Sequence, residues 1–330
     1  MLLQNFWHYW NWIVPFAIFV AKLCHCHYYH RRTGRKSSVL ILNGQALLPA
    51  LGDQESHFVG GIETVFRGID DLAFVITANR VHVYETEEGR DLADFGLVQV
   101  AAYPRPTATL INALTAYLEA NRVTVVNATG VAAPTKLFQY LRFAQAGLPV
   151  PSTLYLAPGQ LAESYDRIVA QLGMPFVLKA LSASGGRHNY LISDEREFAR
   201  QLDAAHERVR FLAQEFIPND SAFRLFVFGG EVRIILRSTS PNGSHLTNTE
   251  QGGEAALVDP TGFDPAVQRL AVRAASLIGS DVACVNMMQD LISREWYILD
   301  ANSNPAIATG PFVEDKLNAY STYLKKRLAD

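Results

Sequence analysis

Trp296-Tyr-Ile-Leu-Asp-Ala-Asn-Ser-Asn-Pro305 reads as a buried strand that ends in polar residues. Trp296 to Leu299 supply the apolar run, and Asp300 and Asn302 follow on one face because strand residues alternate. A carboxylate beside an amide oxygen is a hard-oxygen pair suited to Mg²⁺. Upstream, Val282 to Met288 form a second apolar run interrupted by Asn286. The polar stretch 289–294 reads as a hairpin turn that brings Asn286 to Asp300 and Asn302. The same residues also suit an ordinary hairpin with a polar end, so the rest of the chain has to decide.

The chain has 330 residues, enough for two or three packed units. With 49% hydrophobic and 18% charged residues it is a globular protein and not a disordered one. A net charge of -3 leaves no basic surplus for nucleic acid. Three cysteines make no disulfide framework, which points to a reducing, cytoplasmic setting.

The N-terminus is read separately. Trp7, Trp10 and Trp12 crowd the first dozen residues, Asn11 to Ala21 carries no charge, and Arg31, Arg32, Arg35 and Lys36 follow. Aromatic residues before a basic group suit a membrane anchor with the body on the cytoplasmic side. The uncharged core is short for a span of about 20 residues. A packed helix or a start assigned too early are the competing readings. Residues 1–36 are therefore set apart as anchor and basic linker. Cys24, His25, Cys26, His27 and His30 lack the two-pair spacing of a structural zinc site.

Residues 37–130 read as a small α/β domain. Its buried strands are Val39 to Asn43 and Ala73 to Thr77, with a half-exposed strand at Val81 to Glu85 and another at Val123 to Val126. A helix opened by Pro106 carries Leu110, Ile111, Leu114, Tyr117 and Leu118 as one stripe. No Gly-x-Gly-x-x-Gly follows the first strand, which counts against a nicotinamide-binding domain.

A second unit spans residues 131–208. Lys136 to Ala146 is a helix with Leu137, Leu141 and Ala144 on one side, and Gln160 to Leu172 is another. Phe176 to Lys179 is a strand with a lysine at its end, and the small-residue loop Ser182 to Arg187 contains Ser184, Gly185 and Gly186. Such a loop can fold over phosphates or serve as a plain turn. The third unit, 209–330, opens with the strand Arg210 to Ile217. Strands 223–228 and 231–237 then flank Gly229-Gly230, and a helix capped by Asp264 precedes the hairpin.

In order, the chain presents Lys136, Lys179, the loop 182–186, Gln214-Glu215-Phe216-Ile217, Arg224 and Arg237, Asn248 before Gly252-Gly253, and Asp300-x-Asn302-x-x-Pro305. This order and spacing resemble the ATP-grasp superfamily, in its glutathione synthetase and RimK-type glutamate ligase branch. The resemblance runs from about Val39 to the C-terminus and is best from Pro134 to Pro305. It implies a fold of mixed α/β and α+β parts, with ATP held between two α+β subdomains behind the small α/β domain.

The resemblance also implies roles. Lys136 and Lys179 would meet the ATP phosphates with the loop residues Ser184, Gly185 and Gly186. Gln214, Glu215, Phe216 and Ile217 would line the adenine, and Asp220 the ribose. Arg237 and Asn248, with Arg224, would face the reacting groups, and Asn286, Asp300 and Asn302 would hold Mg²⁺. The implied reaction is ligation: a carboxylate attacks the γ-phosphate, ADP leaves, and an amine displaces phosphate from the acyl phosphate to form an amide. The substrates would be small molecules or peptides. The chain departs from the RimK-type pattern at Ala222, where an acidic residue is usual, at Asn286 in place of Asp, and at Asp300 in place of Glu. The thinned metal site and the expected anchor motivate one alternative, a membrane-attached ATP-binding sensor or scaffold without catalysis. An ATP-grasp kinase that phosphorylates its substrate without ligation is a third reading.

Overall fold

A computed structural model describes residues 37–42, 57–78, 80–101, 108–127, 135–181, 188–205, 209–239 and 254–330. The expected anchor at 1–36, the loop residues Ser184, Gly185 and Gly186, and Asn248 lie outside the described residues. Among the described residues no helix is long and apolar enough to cross a membrane.

The first sheet has the order β2-β3-β1-β6-β7. It is built from β1 (Val39–Leu42), β2 (His57–Val59), β3 (Ile62–Arg67), β6 (Leu97–Val100) and β7 (Thr124–Val126). β1 pairs in parallel with β3 and β6, and β6 in parallel with β7. The unbroken Val-Leu-Ile-Leu of β1 follows from burial on both faces. Leu40 and Leu42 pack on Ile111, Leu114 and Leu118 of helix α1 (Ala108–Ala120), while Val39 and Ile41 join a core shared with the C-terminal part of the chain.

Two expectations fail here. Ala73 to Thr77 is not a buried strand of this sheet. It lies in β4 (Leu72–Thr77), which pairs only with β5 (Arg80–Glu85) in a separate antiparallel hairpin. Ile76, at the turn end of the hairpin, is 74% exposed. Leu110 is also outside the α1 stripe and exposed.

The second sheet, β10-β9-β11-β8, is antiparallel throughout. It contains β8 (Thr153–Leu154), β9 (Phe176–Ala180), β10 (Asn189–Ile192) and β11 (Phe211–Glu215). Helices α3 (Pro158–Ala162), α4 (Tyr165–Leu172) and α5 (Glu195–Ala204) cover one face through Leu161, Ile168 and Phe198. The single helix expected over 160–172 is broken in two. Ser164 turns its hydroxyl onto the Gln160 carbonyl at 2.6 Å, and its backbone N–H bonds back to Leu161 O, which ends the first turn of helix. β11, assigned by sequence to the third unit, is hydrogen-bonded between β9 and β8 in this sheet.

The third sheet, β14-β13-β12-β15-β16, is also antiparallel. Its strands are β12 (Ser221–Phe228), β13 (Glu231–Thr239), β14 (Glu254–Val258), β15 (Val282–Gln289) and β16 (Trp296–Asn302). Gly229 and Gly230 turn β12 into β13 with φ of 60° and 80°, the pair of positive values a tight hairpin requires. Helix α6 (Pro265–Leu277), capped by Asp264 on the Ala266 N–H, packs Val267, Ala271 and Ala274 on one face. The other face packs Phe226 and Phe228 against Tyr320, Tyr323 and Leu324 of the terminal helix α7 (Val313–Ala329) and against β1.

Helix α2 (Lys136–Gln145) belongs with this third sheet through Phe143. Its inward face is Gln139, Tyr140 and Phe143, whereas Leu141 and Ala144 of the expected stripe are exposed. Two polar ties join the first sheet's end of the molecule to the third. Asn127 holds Val282 by its N–H and carbonyl and reaches Ser303 O, and Tyr320 donates to Gln99 at 2.7 Å.

Candidate functional site

β15 and β16 form the expected hairpin, and their register sets Asn286 opposite Asp300 and Cys284 opposite Asn302. The register slips between Asn286 and Met287, so Leu299 is the extra residue of a bulge beside Asp300. Helix α2 secures that bulge. Tyr140 donates to Leu299 O at 2.5 Å, and Gln139 brackets Ala301 by donating to its carbonyl at 2.9 Å and accepting its N–H at 2.8 Å. The strand end that carries Asp300 is thus locked to the helix that begins with Lys136.

Asn286 donates to Asp300 Oδ1 at 2.5 Å. Asn302 is exposed, and its Oδ1 accepts the Asn304 N–H at 3.0 Å. Asp290 is committed to the hairpin turn, where its Oδ1 accepts from Ile292 and Ser293, so it does not supply a second carboxylate to the site. On β12, Arg224 is the direct neighbour of Asn286 and stands on the same face.

Lys179 approaches from the second sheet. It donates to Gln214 Oε1 at 2.5 Å, and Gln214 in turn donates to Thr153 at 2.9 Å. Burial lowers the Lys179 pKa to about 8; the Asp300 carboxylate opposes this, and the Lys136 ammonium adds to it. Burial also raises the Tyr140 hydroxyl, helped by Asp300. The Cys284 thiol is pushed up to about 12, again by burial first. Asp300 therefore acts electrostatically on groups from α2, β9 and β15, which makes it the meeting point of the site.

Other expected residues are placed differently. Gln214 is buried and serves as the anchor of Lys179, a role the adenine-lining expectation does not include. Glu215 ties its N–H to Ser152 O and its carboxylate to the Ser152 N–H. Phe216 is half-buried and Ile217 buried. Asp220 is exposed, accepts from Ser221, and lies 3.8 Å from Arg237. Arg237 is not brought to Arg224, Asn286 and Asp300. Its register partner is Phe223, on the face covered by α6, and its guanidinium lies 5.9 Å over the Phe223 ring. Alternation is the reason: Arg224 pairs with Leu236, so the next residue of β13 turns the other way.

Sequence reasoning missed Gln139, Tyr140, Thr153 and Lys316. Lys136, Gln139, Tyr140 and Phe143 are spaced i, i+3, i+4 and i+7, which is one helix face. That signal was available but mixed polar with apolar residues. Lys316 gave none, because a helix lysine is ordinarily solvated.

Among the described residues no group of three or more His, Cys, Asp or Glu could hold a metal. The candidate set is one carboxylate, Asp300, with the amide oxygens of Asn286 and Asn302. All are hard oxygen donors, a set that fits Mg²⁺ sharing ligands with phosphates and does not fit a softer metal. Lysines on two sides complement an anionic nucleotide.

Residues 133–314 match the model of the RimK-like ATP-grasp domain. The chain belongs to the RimK-like ATP-grasp family. Among relatives of this ATP-grasp chain, a probable alpha-L-glutamate ligase of Cellvibrio japonicus is 30% identical over 182 residues, covering 53% of this chain and 58% of the relative. Another, from Parasynechococcus marenigrum, is 30% identical over 209 residues, covering 62% of this chain and 43% of the relative. The chain thus spans about half the length of these curated relatives. The ATP-grasp ligase PsnB, complexed with precursor peptide PsnA2 and AMPPNP, superposes with a TM-score of 0.63 at 17% identity, over 90% of this chain and 100% of that one. A Chryseobacterium gregarium RiPP-associated ATP-grasp ligase, in complex with ADP and a leader and core peptide, gives 0.60 at 14% identity, over 88% and 97%. These likenesses establish the ATP-grasp fold.

Proposed function

We propose that this protein is an ATP-dependent carboxylate–amine ligase that forms an amide bond. The observation that carries this reading is the convergence of Lys179 and Asp300, from different sheets, with Lys136 close enough to act on Lys179. Two cations and a carboxylate at the junction of two sheets suit a metal-bound triphosphate.

In this reading Lys136 and Lys179 hold nucleotide phosphates, with Gln214 fixing the Lys179 ammonium. Asp300, Asn286 and Asn302 would hold Mg²⁺, which would neutralise phosphate charge and orient the transferred group. Arg224 stands on the same face as these residues, where positive charge would offset the negative charge that develops on phosphoryl transfer. Arg237, on the opposite face of the third sheet beside Phe223, is left out of this set. A substrate carboxylate takes the γ-phosphoryl group, ADP leaves, and an amine nitrogen attacks the acyl carbon, expelling phosphate with loss of a proton.

The relatives' name, probable alpha-L-glutamate ligase, and the peptide complexes of the neighbours support an amino acid or peptide as amine or carboxylate. Incubation with ATP, Mg²⁺ and a panel of amino acids and peptides, read by mass, tests the reading. The expected product is an amide with one ADP released per bond. ADP release that no amine accelerates, with no amide product, would instead favour an ATP-binding module without ligase activity. The closed Asn286–Asp300 contact, with its single carboxylate, is the observation behind that second reading.

A further inference from the structure

Lys316 has no part in the assignment above, yet it is the least solvent-exposed lysine among the described residues, 1% exposed. It rises from the first turn of α7 and donates to Ala306 O at 2.8 Å and Thr309 O at 2.6 Å. Its ammonium lies 5.7 Å over the Phe226 ring. The charged and titratable groups that act on it are Cys284 and Arg224, both on the sheet face that bears Asn286 and Asp300. No carboxylate among the described residues forms a salt bridge with it.

Removing an ammonium from water is costly unless it is hydrogen-bonded, so a lysine in this place answers a specific need. That need is visible in the segment it holds. Ala306 and Thr309 lie between the end of β16 and the start of α7, and the segment leaves β16 at Asn302. Its near end is fixed by Asn127, which donates to Ser303 O at 3.1 Å. Its far portion is held by Lys316 alone of the side chains with a hydrogen bond to 306 or 309 among those described. A long, unbranched stem can cross Phe226 and still place donors on two carbonyls at once.

We infer that Lys316 is a positioning residue for the metal end of the site: by tying down Ala306 and Thr309 it sets where the segment after β16, and with it Asn302, sits. The inference rests on the reading of Asn286, Asp300 and Asn302 as the Mg²⁺ set. It predicts that loss of Lys316 disturbs Mg²⁺-dependent nucleotide binding and leaves metal-free binding, governed by Lys136 and Lys179, in place.

The test is titration of ADP into the full chain with Mg²⁺ and with EDTA, giving a ratio of affinities. For Lys316→Met the ratio should fall at least threefold from wild type while the affinity in EDTA stays within twofold. Lys325→Met, an exposed lysine of the same helix, should keep the wild-type ratio. In the Asn302→Ala background, Lys316→Met should produce little further change, because both act through one group. Should Lys316→Met not fold, Lys316→Gln, smaller and still a donor, is judged by the same ratio. A folded variant with an unchanged ratio, or effects of Lys316 and Asn302 that simply multiply, would overturn the inference. Absence of ADP binding by the wild-type chain in either condition would count against the nucleotide-site assignment itself, and this inference would fall with it.

Discussion

Asn286 donates a hydrogen bond to Asp300 across the β15–β16 pair at 2.5 Å, and Asp300 in turn acts on Lys179 from another sheet. One amide and one carboxylate therefore occupy the place where the family pattern has two carboxylates. Asn286→Asp would set two negative oxygens in contact. We expect the apo protein to lose stability and Mg²⁺ to restore it, so that the melting temperature becomes more Mg²⁺-dependent than in wild type. Asp300→Asn should abolish this metal response and nearly all turnover with the fold retained. Thermal melts over a Mg²⁺ series read both, and a wild-type Mg²⁺ response in the Asp300 variant would refute the assignment.

Under the proposed role of Lys179 in holding nucleotide phosphate, nucleotide binding should be proton-linked. Its folded pKa is lowered to about 8 from an ordinary 10.5, so between these values the folded state binds fewer protons than the unfolded state. The penalty for burying the ammonium is complete below pH 8 and fades as pH rises, so this group makes the apo protein more stable toward pH 10. An anionic phosphate at Lys179 favours the charged form and raises the pKa again. ADP binding near pH 8.5 should therefore take up protons. Calorimetry in buffers of different ionisation enthalpy measures the uptake, which should be lost in Lys179→Met. Equal uptake in both proteins would place the proton elsewhere.

Gln139 satisfies the N–H and the carbonyl of Ala301 with one side chain. Gln139→Ala leaves two buried backbone groups without that partner, at about 1–3 kcal/mol each. The expected loss is roughly 2 kcal/mol or more in urea unfolding. Tyr140→Phe removes one hydrogen bond, to Leu299 O, and should cost about 1 kcal/mol. A smaller effect for Gln139 than for Tyr140 would contradict the bracketing role.

The Gly229-Gly230 turn separates backbone strain from collision. Both glycines have positive φ, but a Cβ on Gly229 would lie 2.7 Å from the Tyr323 ring, whereas at Gly230 no described residue lies within 4 Å. Gly230→Ala should cost about 1–2 kcal/mol from the left-handed backbone alone. Gly229→Ala should cost at least 1 kcal/mol more, since Tyr323 is packed into the core that joins α7 to the sheet. Equal losses would show that α7 yields freely at this point.

Much of the chain was legible as sequence because the signals were local. The hairpin of Asn286 and Asp300, the Gly-Gly turn, the Asp264 cap and the double-sided burial of Val39 to Leu42 follow from alternation, turn chemistry and capping, each within a few residues. The order of Lys136, Lys179, Gln214 and Asp300-x-Asn302 sufficed for the family.

Tertiary structure decided what local pattern leaves open. An apolar run does not reveal whether a second layer will cover it, so Ala73 to Thr77 looked like core, but Ala73 to Val75 are only half-buried and Ile76 and Thr77 are exposed. A helix offers several faces, and α2 buried Gln139 and Tyr140 because the bulge in β16 has backbone groups that need partners. Register sent Arg224 to the site and Arg237 to the opposite face. Lys179, Asp300 and Lys316 owe their environments to chain segments far away in sequence, and burial, a property of the assembled molecule, is what shifts Lys179 and Lys316 to about 8.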